Sequence, residues 1–244
     1  MFRSGNPVLS EEIFKKGVSL SASDEAMTVS GAVNKTTILF LILMIGASLT
    51  WYQPIAAAQP WMLVGVFGGL IAALVTVFKK EWAPVSAPIY AFLEGLFLGG
   101  ISSVYASAYD GLVLEAVTLT FGTFAAMLIL YKTGIVKVTE KLRFGIFAAT
   151  GGIALVYFAS MILGFFGISV SLINGTGLFG IGFSLIVVGV AAMNLLLDFD
   201  FIYQGAEYNA PKYIEWYAAF GLMVTLIWLY IEFLRLLSKL QSRR

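Results

Sequence analysis

The sequence predicts an all-α, polytopic membrane protein built as a seven-transmembrane-helix bundle, and three observations carry that expectation. Hydrophobic residues fill 59% of the 244 positions and charged ones only 12%, where a soluble globular domain carries about 25% charged residues. The mean hydropathy is +0.90. The apolar residues are gathered in repeated runs of about 20, the helix length that crosses about 30 Å of hydrocarbon, and the connections between runs are short and polar or rich in Gly and Pro.

Residues 1–35 read as a polar cytoplasmic N-terminal tail. Glu11, Glu12, Asp24 and Glu25 fall in it, and no short apolar core precedes a small-residue cleavage site, which argues against a secretory signal peptide. One short helix is expected around Ser10 to Val18. The transmembrane domain covers 36–238, with spans at about 36–53, 60–78, 85–107, 112–131, 144–166, 177–201 and 214–238. The first span is short or tilted and ends in Trp51 and Tyr52, which suit the headgroup boundary. Residues 239–244 form a short basic C-terminal tail. The pairs Gly65 with Gly69 and Gly95 with Gly99 have the four-residue spacing that lets helix backbones approach closely in lipid, and are read as structural.

Orientation follows from the positive charges. With the N-terminus in the cytoplasm, the inner segments hold Arg3, Lys15, Lys16 and Lys35, then Lys79 and Lys80, then Lys132, Lys137, Lys141 and Arg143, then Lys212, while the outer connections hold no Lys or Arg. The C-terminal Arg235, Lys239, Arg243 and Arg244 are the exception. Either the early helices dominate the topology, which gives seven spans and is the reading preferred here, or the last segment is re-entrant.

The inventory excludes several functions. Cys 0 removes disulfides, thiolate nucleophiles and sulfur ligands, and His 0 removes imidazole ligands and the usual general base. Rhomboid-like Ser/His proteases and zinc-dependent membrane hydrolases are thereby ruled out. An intramembrane aspartyl protease needs a Gly-x-Gly-Asp motif, which is missing. The net charge of +1 is scattered over loops and tails, so nucleic acid is not expected as a partner. The chain is read as no enzyme and as carrying no cofactor, and what metal it holds is unknown from the sequence. Proton chemistry near neutral pH falls to carboxylic acids, whose pKa rises on burial in an apolar medium.

Carboxylates inside apolar runs are expensive and usually mark a pathway or a proton switch. Glu94, in APIYAFLEGLFLGG, lies about ten residues into the third span, about 15 Å deep at 1.5 Å per residue. It is either a neutral acid tying two helices together or a point on an ion path. Asp198 and Asp200, in NLLLDFDFIYQG at the cytoplasmic end of the sixth span, are two apart and point to different helix faces. Lys79 and Lys80 at the end of the second span are candidate counter-charges, against the plainer role of headgroup anchors. Glu232, in TLIWLYIEFLRLL, has Arg235 three residues on and so on its own face. It is either an intrahelical ion pair or a buried acid that meets an acid of the sixth helix and shares a proton with it. Helix rise alone puts Glu232 far from the cytoplasmic boundary and Asp198 near it, which makes Glu215 and Glu94 the alternative partners for Asp198.

The strings MTVSGAVNKTTILF, YAFLEGLFLGGIS and NLLLDFDFIYQGAEYNAPKYIEWYAAFGLMVTLIWLYIEFLRLL, in this order and spacing, resemble the bacterial branch of the Bax inhibitor-1 (transmembrane Bax inhibitor motif) family from Met27 to Lys239. The resemblance implies a seven-helix bundle with the last helix at its centre, and a pH-sensitive calcium leak in a bacterial inner membrane. It also implies a di-acid pH sensor from the sixth and last helices, latched by a basic residue of the second. Asp198 matches the sixth-helix acid, with Ile202 in step. Glu232 matches the last-helix acid where the family has Asp. Lys79 or Lys80 stands where the family's second helix ends in Arg, and a lysine lacks the bidentate fork of a guanidinium. Arg235 is a further candidate latch.

Two functions from different classes follow. The leading one passes Ca²⁺, as transported ion, through the lipid bilayer under control of carboxyl protonation. The other is an interaction protein that regulates another membrane protein, such as a quality-control protease, through its lipid-facing surface or its N-terminal tail.

Overall fold

The computed structural model describes residues 26–168 and 170–243. The short helix expected at Ser10 to Val18 lies outside them. Among the described residues, seven helices are long and apolar enough to cross a membrane. They are α1 (Val29–Trp51), α2 (Ile55–Phe78), α3 (Ala83–Ala108), α4 (Leu112–Lys132), α5 (Glu140–Phe165), α6 (Leu178–Glu207) and α7 (Ile214–Gln241). A 3₁₀ turn at Lys80–Trp82 leads into α3, and one helical turn at Ser171–Asn174 precedes α6. The protein is an all-α, multi-pass membrane protein.

Several bounds differ from the sequence expectation, each for a local reason. The first helix begins at Val29, inside the expected tail, because Thr28 caps it: its hydroxyl accepts from the Gly31 N–H at 2.9 Å. In α2 the start moves back to Ile55, with Pro60 carried within the helix. Tyr203 is inside α6, which runs on to Glu207, so the link to α7 is only 208–213. The last helix reaches Gln241, and Lys239, expected in a solvated tail, is 5% exposed.

The chain divides into two compact units, with α6 and α7 each continuous through both. The first unit holds α1, α2 and α3 with Asp198–Val224. Within it α3 packs on both α1 and α2, which scarcely touch each other. The small residues make this possible. A Cβ at Gly95 would strike the Leu43 carbonyl, one at Gly99 the Ala47 carbonyl, and one at Gly65 the Leu93 carbonyl. Backbones meet there without intervening side chains, the packing that drives helix association in lipid. Thr50 adds a buried bond between helices, donating to the Leu96 carbonyl at 2.9 Å. Thr76 and Ser86 join the start of α3 to the end of α2 at 2.7 Å.

The second unit holds Tyr109–Leu197 with the end of α7 from Thr225. Ile153, Val187 and Val190 form an apolar cluster with Tyr157, Phe183 and Trp228 packed against it. Asn194 donates to the Thr150 hydroxyl at 2.9 Å and to the Val190 carbonyl at 2.9 Å, so this buried amide is satisfied from α5 and from its own helix. Leu41, Ile45, Phe67, Ile71, Leu155 and Phe158 are exposed apolar side chains on membrane-length helices, as lipid contact requires. Of these seven helices α6 and α7 are the most enclosed, with 56% and 61% of their apolar stretches buried.

Candidate functional site

Three carboxylates inside the membrane-length helices are almost wholly removed from solvent: Asp198 at 1%, Glu215 at 0% and Glu232 at 1% exposed. A buried charge persists only with a counter-charge or with hydrogen bonds to its oxygens. The partners of Glu215 and Glu232 come from different elements and divide the two chemically.

Glu232 sits in the second unit, two-thirds of the way along α7. Its Oε1 accepts from Arg235 Nη1 at 2.7 Å and from the Tyr157 hydroxyl at 2.9 Å, and the same hydroxyl accepts from Arg235 Nη1 at 2.8 Å. The guanidinium also lies over the Tyr157 ring, 5.1 Å from its centroid. The intrahelical ion pair that the three-residue spacing allowed is therefore formed, and Tyr157 of α5 closes it into a triangle. Both donors converge on one carboxylate oxygen, while Oε2 is buried without a hydrogen bond. Two turns beyond Glu232, Lys239 donates to the Gly180 carbonyl at 3.0 Å and the Ser184 hydroxyl at 2.8 Å. The face of α7 that carries Glu232, Arg235 and Lys239 thus holds one more positive group than negative.

Asp198 lies in α6 nine residues before Glu207, and it belongs to the first unit. Asp200 points elsewhere, as two-residue spacing on a helix demands: it is half-buried and accepts from Gln204 Nε2 at 2.8 Å, one turn on. Glu94 is half-buried in α3 with its carboxyl against α2, where a Cβ at Gly69 would come within 2.9 Å of Oε1. The Gly65 and Gly69 spacing thus makes room for an acid as well as for a backbone.

Glu215 opens α7. Its Oε1 accepts from the Thr28 N–H at 2.9 Å and from the Thr28 hydroxyl at 3.1 Å, and Lys212 stands 3.2 Å away. This acid is engaged by the start of α1. The two second-helix lysines are distinguished as well. Lys79 is exposed at the end of α2, suited to a headgroup anchor. Lys80 is turned inward, its ammonium 5.6 Å from the centroid of the Tyr217 ring in α7.

Sequence reasoning missed Tyr157 and Lys239. Lys239 was legible, since residues three, four and seven apart share a helix face, and Glu232, Arg235 and Lys239 fit that pattern. Tyr157 had no signal beyond being a polar group in an apolar run. Among the described residues, no group of three or more Asp or Glu side chains gathers as a metal site.

A sequence model of the family described as Bax inhibitor 1 like matches residues 6–242. No curated protein matches the chain at a significant level.

Proposed function

The chain belongs to the Bax inhibitor 1 like family, and we propose on that premise that it is a calcium leak channel of a bacterial inner membrane, N-terminus cytoplasmic, gated by protonation of intramembrane carboxylates. The observation that carries the reading is the pair of nearly solvent-free acids, Asp198 and Glu232, one on each of the two most enclosed helices. Acids so placed inside a membrane span are kept for a proton or ion step, because apolar side chains would serve packing at less cost. Ca²⁺ is suited to the oxygen donors this chain offers, carboxylates and carbonyls without thiolate or imidazole. The activity is transport and involves no catalysis.

In this reading Asp198 is the acid of the sixth span and Glu232 that of the last, with Glu94 a further acid along the route. Arg235 takes the place of a second-helix latch: it grips Glu232 through the ion pair, and release of that pair frees the carboxylate to exchange a proton or meet a cation. The test is Ca²⁺ flux into liposomes from purified protein, measured against pH. Asp198→Asn should abolish the pH dependence. Flux that keeps an unchanged pH profile in this variant sinks the sensor role.

Deleting the N-terminal tail separates transport from tail-mediated binding to another membrane protein, since a leak survives the deletion and such binding does not. The cut has to stop at residue 25. A deletion to residue 30 would remove Thr28 and strand the buried Glu215 carboxylate, destabilising the first unit whatever the function.

A further inference from the structure

The approach to α1 and the start of α7 are tied together by contacts that neither transport nor helix packing requires. Ala26 and Pro211 form an isolated antiparallel bridge, and the Met27 N–H donates to the Ala210 carbonyl at 2.7 Å. Met27 itself is 2% exposed. One residue on, Thr28 works in both directions: its hydroxyl donates to Glu215 Oε1 and accepts from the Gly31 N–H. The Thr28 N–H donates to the same carboxylate oxygen. A carboxylate set at a helix N-terminus satisfies donors that have no partner inside the helix and meets the positive end of the helix dipole. Gly31 is part of the device, because a Cβ at that position would overlap the Glu215 carboxyl group. Lys35, one turn further along α1, places its ammonium 5.0 Å from the centroid of the Trp216 ring.

We propose that residues 26–31 form a clasp on the first turn of α7, pinned by the Glu215 carboxylate, and that the clasp, with the first turn of α1 that it includes, opens and recloses as a unit while the rest of the helices stays folded. Three features suit it to opening. Every donor converges on Oε1, so the closed state leaves Oε2 buried without a hydrogen bond, an unmet acceptor that water satisfies once the clasp is open. The Lys212 partner is 43% exposed, so its attraction is screened. The strand-like part is a single bridge with no ladder to hold it. Opening releases the start of α7 and exposes an acid otherwise committed to α1. The clasp therefore links the N-terminal region to the last helix, and it stands whether or not the protein passes Ca²⁺.

Amide hydrogen exchange of the full chain in lipid nanodiscs tests this, because the Met27 and Thr28 amides bond across the clasp and the Gly31 amide bonds the Thr28 hydroxyl that Glu215 holds. In the wild-type protein these three should exchange at one common rate, faster by at least about tenfold than Leu39 in the middle of α1, as expected for a local cooperative opening. Gly31→Val and Glu215→Gln should each raise that rate by about tenfold and leave Leu39 unchanged. A cross-link between cysteines at Ala26→Cys and Pro211→Cys, the only thiols in a chain that has none, should slow all three amides when oxidised and release them when reduced. Unrelated rates for the three amides in the wild type, or an oxidised cross-link that leaves their exchange unaltered, would overturn the clasp even if the single variants failed to fold.

Discussion

Removing Arg235 should expose how much of the second unit rests on one ion pair. Glu232 is 1% exposed, and Arg235 and Tyr157 both donate to its Oε1. Stranding one member of a fully buried pair costs about 3–5 kcal/mol. Here the Arg235 side chain is 32% exposed and the Tyr157 hydroxyl remains as a donor, so Arg235→Gln should cost about 2 kcal/mol. Glu232→Gln leaves a cation that reaches water and should cost about 1 kcal/mol. The double variant places two neutral amides side by side and should also cost about 1 kcal/mol, giving a coupling energy near 2 kcal/mol. Equilibrium unfolding of the purified protein by a denaturing detergent, followed by tryptophan fluorescence, measures each corner of this cycle. A double variant no more stable than Arg235→Gln alone would refute the argument, because the stranded charge would then not be what the single substitution costs.

Two further outcomes follow from packing. Gly99→Leu drives a side chain into the Ala47 carbonyl and should destabilise by about 2–3 kcal/mol; Gly122→Ala in α4, with nothing within 4 Å of its added carbon, should instead be neutral or stabilising by up to about 1 kcal/mol in the same unfolding assay. Lys239→Met replaces a buried ammonium bonded to two neutral oxygens with an apolar chain of similar length, and should leave stability unchanged or raise it by about 1 kcal/mol. Lys239→Ala, which leaves a void, should lose about 2 kcal/mol by thermal denaturation, and equal loss in both variants would show that the charge itself is needed.

The positions of the acids were easier to read than their partners. The Glu232 ion pair was visible because three-residue spacing fixes a shared helix face, and the different directions of Asp198 and Asp200 followed from the same geometry. The engagement of Glu215 was not visible. Its partner Thr28 is 187 residues away in sequence, and nothing near either residue signals the other. Tyr157 escaped notice for the same reason, since its role depends on α5 lying beside the last turns of α7. The inward turn of Lys80 beside the outward Lys79 was also hidden, because a 3₁₀ turn at Lys80–Trp82 rotates the two apart at a point where a simple helix end was expected.

Composition and run length by themselves determined that this chain carries seven segments long and apolar enough to cross a membrane, because the cost of placing a residue in hydrocarbon adds up segment by segment and needs no knowledge of neighbours. The ordered motifs determined the family. Only the tertiary structure decided which acid meets a cation, which caps a helix and which rests against a glycine shelf. Those outcomes turn on ångström-scale approaches between helices distant in sequence, and a charge that has left water answers to whatever donor is within hydrogen-bond reach.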